Sequence, residues 1–381
     1  MKILVISSSF LPKVDGSVRC VYDHTRKLAG RGHTVVLVTR GVHNNDRLYE
    51  KMERVNIIRT RLAFRSTSSI KRLRLILEHA ITIFRLQKRY RFDVLHAHGY
   101  TAAWAAVPSK LLLRVPLVIT THGTELLWPK WVRWKSDFEV RTSRLIEALS
   151  LHFCDVIVVQ SEGVKEYMLR IYGRHLAPKM KQVHTGVDHD KFNVNQKSDM
   201  EPTILFVGAL SEIKGVSYLL RSFKRVLQSV PDARLILAGG GQRESEYRSY
   251  ARRLGLDSRV IFLGPVNDDS KLVELYRNTD VVVLPSNVGG PVSCTVLEGL
   301  SSGRAVISTD VPGGIPDVLS NGAGVLIKPM DEDRLTEELV RLLSDRDYLE
   351  SYKKKARETV VKKYTLESMI EKLEKLYTEI T

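Results

Sequence analysis

The chain has 381 residues, 43% of them hydrophobic, and a formal net charge of +16. That length is too great for one hydrophobic core and that apolar content too high for a disordered chain, so two globular domains are expected. The three cysteines, Cys20, Cys154 and Cys294, are far apart, which excludes a disulfide scaffold and any close-spaced thiol motif for metal or redox chemistry, and fits a reduced cytosolic setting.

The apolar run at the N-terminus is too short for a secretory signal and reads as a first strand over 3–6. A turn-rich loop over 7–17 ends in Asp15-Gly16-Ser17, and a helix over about 18–31 is closed by Gly32. Strand-like runs follow at 35–38, 55–58, 94–96, 117–120 and 156–159, with helical segments between them. Such alternation predicts a parallel sheet covered on both faces, with ligands bound beyond the C-terminal strand ends. Gly16, Ser17, His98, His122 and Ser161 stand at such ends. Residues 186–201 are polar and aperiodic, and read as a linker between a first domain over 1–185 and a second over 202–363. The second series has strands at 204–207, 235–237, 260–263, 281–284, 306–308 and 325–327, and helices at about 216–229, 244–254, 271–278 and 295–302. Helices near 332–344, 347–361 and 366–381 close the chain, the last of them, from about 364, expected to pack back on the first domain. The fold class expected is α/β, two doubly wound Rossmann-like domains with parallel sheets facing across a cleft. No run of about 18 uncharged apolar residues is present, so no membrane span is expected.

Charge is divided unevenly. Residues 1–184 hold 32 basic and 14 acidic residues, against 27 and 29 in the remainder. The excess positive charge of the first half calls for an anionic partner there.

The most telling stretch follows the strand at 281–284. Gly289, Gly290 and Pro291 form a loop, Val292 and Ser293 lead into a helix, and Gly303 ends it. Glycine lets main chain approach a ligand, and a helix start offers N–H groups and partial positive charge to a phosphate. Glu298 lies within this helix, where its carboxylate could accept hydrogen bonds from two ribose hydroxyls, or could be an ordinary surface glutamate. Gly208 and Lys214 follow another strand, where an ammonium could neutralise a diphosphate leaving group or simply be solvated. Gly239 and Gly264 close two further strands and would admit a ligand's main-chain contacts, or belong to plain loops. In the first half, His122 ends a strand where an imidazole could bond a sugar hydroxyl; lone histidines are more often structural. His96 and His98 share a strand face, but no third ligand is visible. Asp188 and Asp190 lie in the linker, and Asp331 reads as a helix cap. No metal is expected.

Taken together and in order, these motifs resemble glycosyltransferase family 4, the retaining sugar-nucleotide enzymes of the GT-B fold. The resemblance covers nearly the whole chain: Asp15-Gly16-Ser17, the segment 28–35 with Gly32 and His33, Asp93 with His96 and His98, Thr121-His122-Gly123, Gly186 with Asp188, Gly208 with Lys214-Gly215, and Glu298 with Gly303. It implies that Lys214 binds the donor diphosphate, Glu298 the ribose and Gly16 the phosphates, that His122 contacts the transferring sugar, and that no metal or other cofactor is needed. Two positions depart from the family pattern. Ala209 stands where an arginine is usual, and Gly290 where a first glutamate, eight residues before Glu298, normally touches the donor sugar. A glycine loop could meet the sugar through main-chain N–H groups instead.

The segment 70–91 predicts a helix whose apolar set (Leu73, Leu75, Ile76, Leu77, Ile81, Ile83, Phe84) is flanked by Arg72, Arg74, Lys88 and Arg89. That pattern fits a membrane-surface helix as well as a core helix with solvated ends. Trp128, Trp131 and Trp134 lie among Lys130, Arg133 and Lys135, a composition suited to an anionic lipid boundary or to acceptor stacking. The expected protein is a cytoplasmic transferase, peripheral at the inner membrane face, moving a sugar from a nucleoside-diphosphate sugar to a lipid-linked, glycan or other anionic acceptor. A non-catalytic subunit with a degenerate donor site and a sugar-nucleotide epimerase are the alternatives. The positive charge would also suit nucleic acid, but no recognisable binding module accompanies it, and no nucleic-acid partner is expected.

Overall fold

The computed structural model describes residues 1–11, 16–41, 48–60, 69–122, 137–193 and 201–381, with side chains described from Arg74 and Val140 onward in the two helices that follow a break. The described residues divide into two compact units, one holding 1–122, 137–184 and 366–381 and the other 185–365.

In the first unit the strands are β1 (Lys2–Ser7), β2 (Thr34–Arg40), β3 (Tyr49–Met52), β4 (Val55–Thr60), β5 (Val94–His98), β6 (Leu117–Thr120), β7 (Val156–Val159) and β8 (Met180–Gln182). The helices are α1 (Gly16–Gly30), α2 (Ser69–Tyr90), α3 (Tyr100–Leu113), α4 (Asp137–Phe153) and α5 (Glu162–Tyr172). The sheet order is β3-β4-β2-β1-β5-β6-β7-β8. All pairs are parallel except β3 with β4.

Strand alternation sorts the core into two layers. Leu4, Ile6, Leu95, Ala97, Leu117 and Ile119 pack to one face of the sheet. Ile3, Val5, Val94, Val118, Val156 and Val158 pack to the other, together with Val18, Val21 and Leu28 of α1. The same parity carries His96, His98 and Thr120 to this second face.

The second unit has β9 (Thr203–Val207), β10 (Arg234–Ala238), β11 (Val260–Gly264), β12 (Val281–Leu284), β13 (Ala305–Thr309) and β14 (Val325–Ile327). Its helices are α6 (Val216–Ser229), α7 (Glu244–Arg253), α8 (Asp269–Arg277), α9 (Cys294–Ser301), α10 (Gly314–Leu319), α11 (Glu332–Ser344) and α12 (Arg346–Lys363). The order is β11-β10-β9-β12-β13-β14, all parallel. The chain runs outward from β9 to β11, then restarts on the other side of β9 with β12. That reversal is the switch point at which open α/β sheets leave a crevice for a ligand. Asp331 caps α11 by accepting from Arg334 N–H at 3.0 Å. Val187 and Phe192, read in the sequence as linker, are buried in this unit's core.

The last helix, α13 (Leu366–Ile380), returns to the first unit. Leu366, Met369, Ile370, Leu373, Leu376 and Tyr377 form its buried stripe. They join the core layer that holds α1. Lys27 pairs with Glu367, Arg31 with Glu374 at 3.3 Å, and His33 with Glu374 at 2.8 Å. Those partly exposed pairs orient the helix, at no more than about 1 kcal/mol each; burial of the apolar stripe, about 1.5–3 kcal/mol per large side chain, is the main term.

Candidate active site

Loops at the C-terminal edge of the second sheet are bonded one to the next through main chain. Gly239 N–H donates to Gly264 O at 2.8 Å, Gly208 N–H to Ala238 O at 3.0 Å, and Leu210 N–H to Gly240 O at 3.0 Å. The glycines make this approach possible: a Cβ on Gly239 would lie 1.8 Å from Gly208 O, and one on Gly241 2.4 Å from Leu210 O. On the far side of the switch point, Gly290 N–H donates to Pro312 O and Gly314 N–H to Gly290 O. A Cβ on Gly289 would lie 1.9 Å from Pro312 O. These close contacts are therefore between loops of the protein. At Gly239 and Gly289 the space a Cβ would take is filled by neighbouring carbonyls, which favours the plain-loop reading of Gly239. Gly264 and Gly290, at φ 72° and 153°, have open space where a Cβ would be.

Lys214 ends a single 3-10 turn between β9 and α6. The two carbonyls before it are held by the loop after β12: Asn287 Nδ2–H donates to Glu212 O at 2.9 Å, Ser286 Oγ–H to Ile213 O at 3.0 Å. Gly215, at φ 72°, fits because a Cβ there would strike Pro285 O. The lysine is half-buried, and loss of hydration lowers the pKa of its ammonium while the Cys294 thiol, at the start of α9, acts in the opposite sense. Among the described residues no carboxylate lies within ion-pair distance of it.

Helix α9 begins after Ser293, whose side chain makes no cap bond, and Thr295 Oγ–H ties the first turn to Val207 O at 2.9 Å. Glu298 lies four residues after Cys294, on the same helix face. It retains only 4% exposure, and its Oε2 accepts from the Tyr276 hydroxyl at 2.8 Å. It is thus an oriented, nearly covered carboxylate and not a surface glutamate. Lys214 and Cys294, in the first turn of α9, are near enough to interact electrostatically. The Val292 side chain is buried in the core against Gly314, leaving only its main chain for a ligand. Ala209, in the usual arginine position, is exposed.

In the first unit, Gly16 and Ser17 open α1, with Gly16 exposed, while Asp15 lies outside the described residues. His122 is half-buried beyond the end of β6. Contrary to the expectation from sequence, a third histidine accompanies His96 and His98: His24 of α1, with ligand atoms of all three within 4.8 Å of one another. Each of their ring nitrogens already has a hydrogen-bond neighbour inside the protein. Nothing in the sequence marked His24 except its place on the apolar stripe of α1.

Helix α2 splits the apolar set read from the sequence. Leu75, Ile76 and Ile83 are buried, whereas Leu77 and Ile81 are 61% and 48% exposed. Arg74, Lys88 and Arg89 are exposed beside them. Trp128, Trp131 and Trp134 lie outside the described residues, as does the Arg72 side chain. No helix among the described residues is long and apolar enough to cross a membrane.

Two parallel-sheet α/β units, each doubly wound, define the GT-B fold, the architecture of nucleotide-sugar glycosyltransferases. A sequence description for Glycosyltransferase Family 4 matches residues 14–191, and one for Glycosyl transferases group 1 matches 187–359. The chain belongs to glycosyltransferase family 4, and it is a glycosyltransferase enzyme. It is 28% identical to an uncharacterised glycosyltransferase of Methanocaldococcus jannaschii, over 99% of this chain and 98% of that protein. Its fold matches sucrose-phosphate synthase from Thermosynechococcus elongatus with a TM-score of 0.87 at 21% identity, covering 100% and 98% of the two chains. It also matches Anabaena HepE in complex with UDP-glucose, with a TM-score of 0.77 at 18% identity over the whole of both chains.

Proposed function

We propose that the protein transfers a sugar from a nucleoside-diphosphate sugar, with retention of anomeric configuration, to a lipid-linked, glycan or other anionic acceptor. The observation that carries the donor half is the half-buried ammonium of Lys214 at the switch point, near enough to Cys294 at the start of α9 to interact with it electrostatically. Lys214 and the amides at the start of α9 supply positive charge where a diphosphate leaves. Glu298, held by Tyr276, is oriented to accept from ribose hydroxyls. His122 contacts the transferring sugar. The ammonium takes the part that a divalent cation would otherwise play, so the reaction needs no metal. With Gly290 in place of a carboxylate and Ala209 in place of a guanidinium, sugar contacts pass to main-chain amides of the loop.

The bound donor of the HepE structure makes a UDP-sugar the first donor to test. A thermal-shift panel of nucleoside diphosphates and their sugar conjugates reads binding directly, because a ligand specific to the folded state raises the melting temperature by mass action. One nucleoside diphosphate raising Tm in the wild type but not in Lys214→Ala supports the reading; equal shifts in both overturn it. Unchanged transfer in excess chelator is the expected result for the metal-free reaction. For the acceptor, Leu77 and Ile81 between exposed Arg74, Arg85 and Lys88 support contact with an anionic membrane at the inner face. Flotation with anionic but not neutral vesicles is expected, and is expected to weaken in Leu77→Ser/Ile81→Ser.

A further inference from the structure

Six side chains of the first unit form one unbroken hydrogen-bonded chain that reaches His122. Thr120 Oγ1 lies 2.7 Å from His96 Nε2, and His96 Nδ1 lies 2.5 Å from the Tyr377 hydroxyl. That hydroxyl lies 3.1 Å from His24 Nε2. His24 Nδ1 lies 3.1 Å from His98 Nε2, and His98 Nδ1 lies 2.9 Å from His122 Nε2. All members except His122 are buried. Sequence separations reach 353 residues, so the chain exists only because α13 returns to the face that carries α1.

The protonation states make the chain directional. Burial, with a smaller effect of His122, pushes His24 down to about 3, and burial with neighbouring imidazoles pushes His96 and His98 well below the usual histidine value. Burial, and then Glu374, holds the Tyr377 phenol protonated. Each neutral imidazole has one N–H and one lone pair, and each hydroxyl has one proton. Five links then need five protons, one to a link. If every internal donor is used, only two arrangements exist, one running from Thr120 to His122 and one the reverse. Among the described residues the Thr120 hydroxyl has no acceptor other than His96. In the reverse arrangement its proton would be buried without a partner, at about 1–3 kcal/mol. The forward arrangement follows. Thr120 O–H donates to His96, His96 Nδ1–H to Tyr377, Tyr377 O–H to His24, His24 Nδ1–H to His98, and His98 Nδ1–H to His122 Nε2.

We propose that Tyr377, His24, His96 and His98 are positioning residues that hold His122 as the Nδ1–H tautomer, so that the C-terminal helix forms part of the apparatus that contacts the sugar. The assignment to sugar contact rests on the function proposed above; the tautomer does not. In this state the His122 proton is on Nδ1 and its Nε2 accepts from His98.

The test is long-range proton–nitrogen correlation NMR on the full chain labelled with nitrogen-15 histidine near neutral pH, with His122 assigned from the signals lost in His122→Gln. The wild type is expected to show His122 protonated at Nδ1. Tyr377→Phe keeps the ring and removes the central link, and His98 and His122 are then expected to shift toward the Nε2–H form that a free imidazole favours. Thr120→Val removes only the terminal donor and is expected to move His122 the same way, which serves should Tyr377→Phe not fold. A wild-type His122 protonated at Nε2, or a His122 pattern unchanged in both variants, overturns the proposal. If the tautomer is locked as stated but His122→Gln transfers sugar at the wild-type rate, the relay stands and the sugar contact fails.

Discussion

At the strand ends of the second unit the residues are small. Gly208, Gly239 and Gly264 close β9 to β11 and Gly290 lies in the loop after β12, and the loops there hold one another through main-chain bonds such as Gly239 N–H to Gly264 O. At the strand ends of the first unit, β5 and β6 carry His96, His98, Thr120 and, just beyond, His122, and the contacts run side chain to side chain. One parallel α/β architecture thus builds two kinds of edge. A main-chain edge is indifferent to pH and leaves amides and a lysine to face an anion. A side-chain edge titrates, and it carries orientation from a distant helix to one imidazole.

The widest gap between the edges should appear in acid. His24 and His79, buried in the first unit, have pKa values lowered to about 3 and about 4 by loss of hydration. Between those values and about 6.5 the unfolded chain binds more protons than the folded one, so stability is complete above about pH 6.5 and falls as pH drops. These two groups alone remove ~5 kcal/mol by about pH 4.5, a large share of the stability of an ordinary domain. Histidine signals of the first unit should lose their dispersion in acid before the second unit melts, followed by NMR with circular dichroism; coincident loss at both edges would erase the distinction drawn here.

Next in size is Lys214→Ala. Transfer should fall about 10²–10³-fold, the usual loss for one preorganised donor at a developing charge, measured as nucleoside-diphosphate release at saturating donor. The melting temperature should hardly move, since the ammonium has no ion pair to lose among the described residues. Third, the glycines of the main-chain edge should separate by surroundings. Gly239→Ala drives a Cβ into Gly208 O and should cost about 2–3 kcal/mol, whereas Gly264→Ala meets open space and should cost about 1 kcal/mol for its positive φ. Denaturant melts of the two variants read the difference. Smallest is Glu298→Gln, which keeps an acceptor for Tyr276 and removes the charge. Donor affinity should weaken about tenfold, ~1.4 kcal/mol, with little change in stability.

Much of the framework was legible because it is local. The strands at 117–120, 156–159, 281–284 and 325–327 have the bounds read from their apolar runs, as do α6 and α11. What escaped were elements with no such run. Tyr49–Met52 is a half-exposed antiparallel edge strand, Met180–Gln182 is a three-residue edge, and α10 begins at a glycine and contains Pro316. Lys214 and Glu298 were legible as residue types in context, since a lysine after a strand and a glutamate inside a short helix keep their local geometry. Tyr276, Asn287 and Ser286, which brace them, were not, because each acts across the switch point.

The sequence by itself determined the alternating elements, the glycine-closed strand ends and the uneven charge, all of which follow from short-range steric and hydrophobic preference. Only the tertiary structure decided which glycines admit another loop and which face open space, because that depends on carbonyls 23 to 70 residues away in the chain. It also decided that His24 and Tyr377 complete the histidine chain, since hydrogen-bond partners more than 300 residues apart leave no periodic trace in either segment.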